Sequence, residues 1–186
     1  MEEVMRLNKL ACMGVVWLAA TTGSVSMAAN SKTAGELAFD QLKTLVGEWE
    51  GTNESGPVKA TYTLVAGGTA LMERLQTAKD AEMITMYSAD GARIQVTHYC
   101  SYGNQPQMRT ETLKGTGNQY SFSLVSITGL KDPGEGHMTG LVLTLVDKDH
   151  MTQEWKHVSN KGKTGGELVE FKRKPEKAAT VVPGGD

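Results

Sequence analysis

At 186 residues the chain is long enough for one domain and short for two. A formal net charge of −2, from 19 basic and 21 acidic side chains, excludes the broad positive footprint that nucleic acid or an anionic lipid surface requires. With 21 glycines and only 6% aromatic residues, the composition suits many short strands separated by turns.

The first element is an export leader over residues 1–28. Arg6 and Lys9 supply its positive charge, an apolar run follows from Leu10 to Ala20, and Ser26, Met27 and Ala28 have the small-residue character of a cleavage site. The apolar run is shorter than the roughly 20 residues that span a bilayer. A cleaved signal is therefore expected, with a periplasmic or secreted product and no stable membrane insertion. Cleavage removes Cys12 and leaves Cys100 as the only cysteine, so no disulfide can form within the mature chain. A lone thiol of this kind is expected to be a buried small hydrophobe.

A helix is predicted over residues 34–46. Thr33 and Glu36 form a capping box ahead of it, Leu37, Leu42 and Leu45 recur near helical spacing, and Gly47 stops it. In front of a barrel, such a helix would plug one end. About ten strands follow, at 48–53, 58–66, 69–77, 82–88, 93–101, 107–114, 119–128, 138–147, 151–158 and 167–174. Asp90-Gly91 is a strong hairpin signal among them. Strands joined by hairpin-length loops make an antiparallel meander; closure into a barrel hides its edges, and a two-sheet sandwich is the structural alternative. The fold class is thus all-β, a meander closed as a barrel over residues 33–174, with one short N-terminal helix and a disordered tail at 175–186. A barrel of this size can hold a small ligand.

Gly47-Glu48-Trp49, after a short helix and at the start of the first strand, resembles the Gly-x-Trp opening of lipocalin-like (calycin) barrels. A fuller pattern is similar to that of small exported bacterial proteins in a lipocalin-like family of unknown function. It comprises Gly47 to Gly51, Gly67 to Glu73, Thr97 to Cys100, Gly103 to Pro106 and Gly136 to Met138. The resemblance implies a barrel and no established activity. The same Gly-x-Trp-x-Gly opening also resembles the nitrobindin-like haem barrels, which makes His157 a candidate haem ligand in an alternative reading.

Strand parity sets which side chains share the interior. Ile94, Val96, His98 and Cys100 fall on one face, and Glu73 alternates with Leu71 and Leu75. A buried carboxylate needs a partner, and His98 is a candidate, as is Arg74 or Arg109 if the parity is reversed. Such a Glu73–His98 pair would orient a polar ligand, or act as the acid–base couple of a hydrolase or isomerase. Tyr62, Tyr120, Phe122 and Trp155 are expected to line the cavity. Two longer loops, 101–107 and 129–137, would bring Tyr102, Asn104 and His137 to its mouth. No nucleophile elbow, phosphate-binding glycine loop or paired-cysteine metal motif occurs. The chain therefore reads as a binder of a small, partly apolar molecule rather than an enzyme, with its cofactor, if any, unknown, no metal site, and no nucleic-acid partner.

Overall fold

A computed structural model describes residues 31–175. The expected leader at 1–28, and all but the first residue of the expected tail at 175–186, lie outside the described residues. The helix α1 (Ala34–Leu42) continues through a 3₁₀ turn at Lys43–Leu45. Its capping box is formed: Thr33 Oγ1 accepts from the Glu36 amide at 3.2 Å, and the Thr33 amide donates to Glu36 Oε2 at 2.7 Å. Ala38, Phe39, Leu42 and Leu45 are buried in the main core.

Ten strands follow: β1 (Gly47–Asn53), β2 (Gly56–Val65), β3 (Ala70–Gln76), β4 (Met83–Asp90), β5 (Arg93–Tyr99), β6 (Gln105–Thr110), β7 (Gln119–Thr128), β8 (His137–Leu145), β9 (His150–Val158) and β10 (Thr164–Arg173). Each pairs antiparallel with its sequence neighbour, and β10 returns to β1 from Trp49↔Arg173 to Thr52↔Glu170. Closure gives each described strand a partner on both sides, although β7 and β8 pair only from Gln119↔Thr144 to Ser123↔Gly140. Inward positions alternate along the strands, interrupted by register shifts at Gln107/Met108 and Met138/Gly140, and Leu71, Tyr87, Ile94, Leu141 and Leu143 are fully buried. Each such aliphatic side chain contributes about 2 kcal/mol relative to exposure.

The Gly-x-Trp opening has a structural job. Gly47 takes φ +129°, which a side chain would resist, where the chain changes from helix to strand. Trp49 Nε1 donates to the Leu45 carbonyl at 2.8 Å. The Arg173 guanidinium lies 4.1 Å above the Trp49 ring and donates to the carbonyls of Val46, Thr44 and Lys148. Arg173 thereby ties the last strand to the first strand and to the end of the helix.

In an up-and-down barrel, successive turns alternate between the two ends. The turns after even-numbered strands gather at one end, and α1 covers it. The Gly35 amide donates to Gly91 O in the β4–β5 turn at 3.1 Å, and Tyr120 Oη donates to Gln41 Oε1 at 2.7 Å. The turns after odd-numbered strands gather at the other end, which no helix among the described residues covers.

Both boundaries of the sixth strand shift from those expected, and β10 begins at Thr164 instead of 167. The loop expected over 101–107 closes sooner, because the Cys100 amide bonds to Asn104 O and the Gly103 amide to Cys100 O. That tight turn brings Gln105 and Pro106 into β6. At its far end β6 stops at Thr110 instead of 114, and the Leu113 amide turns back to Ala92 O.

Candidate functional site

The uncovered end holds a cavity of about 830 Å³, within the range of small-molecule sites. Its walls are apolar, from Val58, Leu75, Met83, Met138 and Val169. Its inner end is formed by His98 and Trp155, whose rings are 4.7 Å apart and tilted by 46°. Its mouth carries both signs of charge, with Asp80, Glu135 and Glu167 set against Lys131 and Lys161. Burial, and after it the Asp80 carboxylate, raise the Glu167 carboxyl above its ordinary range, while His157 acts in the opposite sense.

Beneath this cavity the lumen is crossed by a buried polar network. Tyr62, Glu73, Thr85 and His98 are direct cross-strand neighbours on β2, β3, β4 and β5. Gln153 reaches them from β9, donating through Nε2 to Glu73 Oε1 at 2.6 Å and to Tyr62 Oη at 2.7 Å. Tyr87 Oη donates to Glu73 Oε2 at 2.7 Å. Gln153 Oε1 accepts from Trp155 Nε1 at 2.9 Å, which fixes the indole beside His98. Burial raises the Glu73 carboxyl above its usual range, and hydrogen bonds from Tyr87 and Gln153 offset part of that rise. Burial also keeps the Tyr62 and Tyr87 hydroxyls protonated, so both remain available as donors.

His98 does not pair with Glu73 directly, which corrects the sequence reading. Thr85 stands between them: its Oγ1 lies 2.9 Å from His98 Nδ1, while Tyr87 and Gln153 occupy the Glu73 oxygens. Among the described residues, His98 Nε2 has no hydrogen-bond partner. Burial lowers the imidazole from 6.5 to about 4, so the ring is neutral at pH 7.

The other sequence candidates divide between the cavity and the packed interior. Tyr102, His137, His157 and Trp155 line the cavity with His98. His137 Nδ1 bonds to Glu135 O at 2.7 Å. Tyr62 and Glu73 belong to the network below. Tyr120 and Phe122 are not on the cavity wall, because they lie in the filled half: Tyr120 bonds to the helix, and Phe122 packs edge-on against Tyr87 at 6.1 Å. Asn104 is also off the wall. It is fully buried and braces two mouth loops by donating from Nδ2 to Gly136 O at 3.1 Å. Cys100, expected to be buried, is half-buried on the cavity wall.

Sequence reasoning missed Thr85 and Glu167, although parity would have placed both inward, and parity puts Gln153 on the Trp155 face without showing its role. It also missed the mouth residues Asp80, Lys131 and Lys161. Counting alternate hairpins of the meander would have put their three loops at one end.

Haem is the cofactor that the resemblance raises. His157 does not fit the ligand role as placed. A Cβ on Gly165 would stand 2.7 Å from His157 Nε2, so that nitrogen is packed against Gly165 of β10. Among the described residues, no group of three or more His, Cys, Asp and Glu side chains converges to hold a metal ion.

No protein-family model and no curated protein matches the chain. Solved structures do match. One is a protein of unknown function from the DUF3598 family of Nostoc punctiforme PCC 73102, at 17% identity and TM-score 0.50, covering 72% of this chain and 49% of that one. The chain therefore spans about half the length of that protein. Another is Rv2717c from M. tuberculosis, at 14% identity and TM-score 0.55, covering 74% of this chain and 98% of that one. At these identities the likeness is one of fold.

Proposed function

We propose that the chain is a binding protein that holds a small, partly apolar molecule inside the open end of its barrel. The observation that carries this reading is the cavity of about 830 Å³ with an apolar wall and an unpartnered imidazole nitrogen at its inner end. A site made of apolar wall with a few convergent polar groups is what orients a small ligand. The charged mouth suits a ligand whose outer end is polar. The leader-like N-terminus and the resemblance to exported lipocalin-like proteins support action outside the cytoplasm. An acid–base enzyme has less support, because Glu73 and His98 share no hydrogen bond.

The test is titration with 1-anilinonaphthalene-8-sulfonate, beside native mass spectrometry and an absorption spectrum of the purified protein. Saturable binding at one site is expected, abolished by filling the cavity with Val169→Trp in a protein that still unfolds cooperatively. Absence of dye binding together with a bare protein mass would count against a ligand-holding cavity. A Soret band on adding haemin, lost in His157→Ala, would establish the haem alternative in its place.

A further inference from the structure

A polar atom inside a protein almost always has a partner. His98 Nε2 has none, although the side chain is only 1% exposed and lies on the cavity wall. The Trp155 indole, held by Gln153, fixes the ring from one side. Thr85 fixes it through Nδ1.

The same contacts bear on which nitrogen carries the proton. Both oxygens of Glu73 already receive donors, Tyr87 on Oε2 and Gln153 on Oε1, so this group acts as an acceptor. The Thr85 hydroxyl also contributes to stabilising the Glu73 carboxylate. Thr85 is the cross-strand neighbour of Glu73, and a hydroxyl hydrogen turned to that side leaves Oγ1 to accept from His98 Nδ1–H. The chain of donation then runs from His98 to Thr85 to Glu73. A neutral imidazole protonated at Nδ1 bears its lone pair at Nε2. The row of neighbours Glu73, Thr85 and His98 on β3, β4 and β5 sets this polarity through the register of the sheet.

We propose that His98 Nε2 is a built-in hydrogen-bond acceptor at the inner end of the cavity. The ligand it selects presents a hydroxyl or N–H on the deep end of an apolar body. This role presupposes the ligand-holding cavity and adds the chemistry of the group that enters first. Val58, Leu75, Met83 and Val169 would surround the apolar body, and the mixed charges of the mouth would meet the outer end. A ligand lacking the donor would leave Nε2 desolvated and unpaired, which disfavours it against one that supplies the bond.

Two measurements test this on the purified protein. The first is the tautomer of His98 from long-range ¹H–¹⁵N correlations at pH 7. Protonation at Nδ1 is expected, and Thr85→Val is expected to return the ring to the Nε2-protonated form that free histidine prefers. The second is an NMR titration with 2-naphthol and 2-methylnaphthalene, probes of nearly equal shape that differ in the donor. The wild type is expected to prefer 2-naphthol by about tenfold. In His98→Phe both probes should bind with similar affinity. A wild-type ring protonated at Nε2, equal binding of the two probes, or a preference that survives His98→Phe would overturn the acceptor role while the cavity stands. Failure of both probes to bind would remove the cavity reading and the acceptor role together.

Discussion

The neutral state of His98 makes the stability of the fold depend on pH in a defined window. Burial lowers this imidazole from 6.5 to about 4, which corresponds to about 3 kcal/mol of folding free energy. Above pH 6.5 neither the folded nor the unfolded chain carries the proton, and the contribution is fully present. Between 6.5 and 4 the unfolded chain takes up a proton that the fold refuses, and stability falls by about 1.4 kcal/mol per pH unit. Below 4 both states are protonated and no more is lost. Glu73 works the other way. Its carboxyl is raised in the fold, so its contribution is present at low pH and lost as pH rises above the ordinary value of 4.5. The two slopes overlap, and the wild-type curve alone does not separate them. The perturbation is therefore His98→Gln, which keeps a polar side chain and removes the titration. Cys100, His157 and the network tyrosines are common to both proteins and cancel in the difference. Urea unfolding of both proteins from pH 4 to 7.5 should give a difference that grows by about 3 kcal/mol as pH falls from 6.5 to 4. Parallel curves across that window would refute the claim that a desolvated, unprotonated His98 is built into the fold.

Gln153→Leu removes the partner of Tyr62, Glu73 and Trp155 at once, and should destabilise by about 3 kcal/mol or more in chemical denaturation. Arg173→Met keeps the apolar stem but loses the bonds to Val46, Thr44 and Lys148 and the stacking on Trp49. A loss of about 2 kcal/mol is expected, read by urea midpoint. Thr33→Ala breaks the capping box and should cost about 1 kcal/mol. Gly165→Ala should displace the His157 ring, because the new methyl would meet Nε2 at 2.7 Å. Dye affinity is expected to change while the unfolding midpoint moves by less than about 1 kcal/mol.

The architecture was legible because alternation is a strong local signal. Ile94, Val96 and His98, and likewise Leu71, Glu73 and Leu75, fall inward as their parity demands. What parity does not carry is depth along the barrel. Tyr120 and Phe122 share the inward face of β7, yet they lie where α1 fills the lumen, and a one-dimensional pattern does not say which half is filled. Nor does it say who pairs with whom. Glu73 and His98 are both inward, but β4 runs between their strands and inserts Thr85, a consequence of register that only the closed sheet reveals. Asn104 was expected at the mouth because Gly103-Asn104-Gln105-Pro106 reads as a loop. The turn closes one step earlier, and the amide is buried as a brace.

The helix that covers one end of the barrel also decides how the protein is best held. Lys32 lies beside Gly68 and Gly91, in turns of the covered end, and the Lys174 amide bonds to Glu48 O at the start of the first strand. The described chain thus begins and finishes at the same pole, opposite the cavity mouth. A tag, tether or fusion joined at either boundary would grip the barrel by its base, and the opening would face outward like a cup on a stem. Immobilised ligand-capture experiments can therefore attach the described barrel at either junction, on the side away from the mouth.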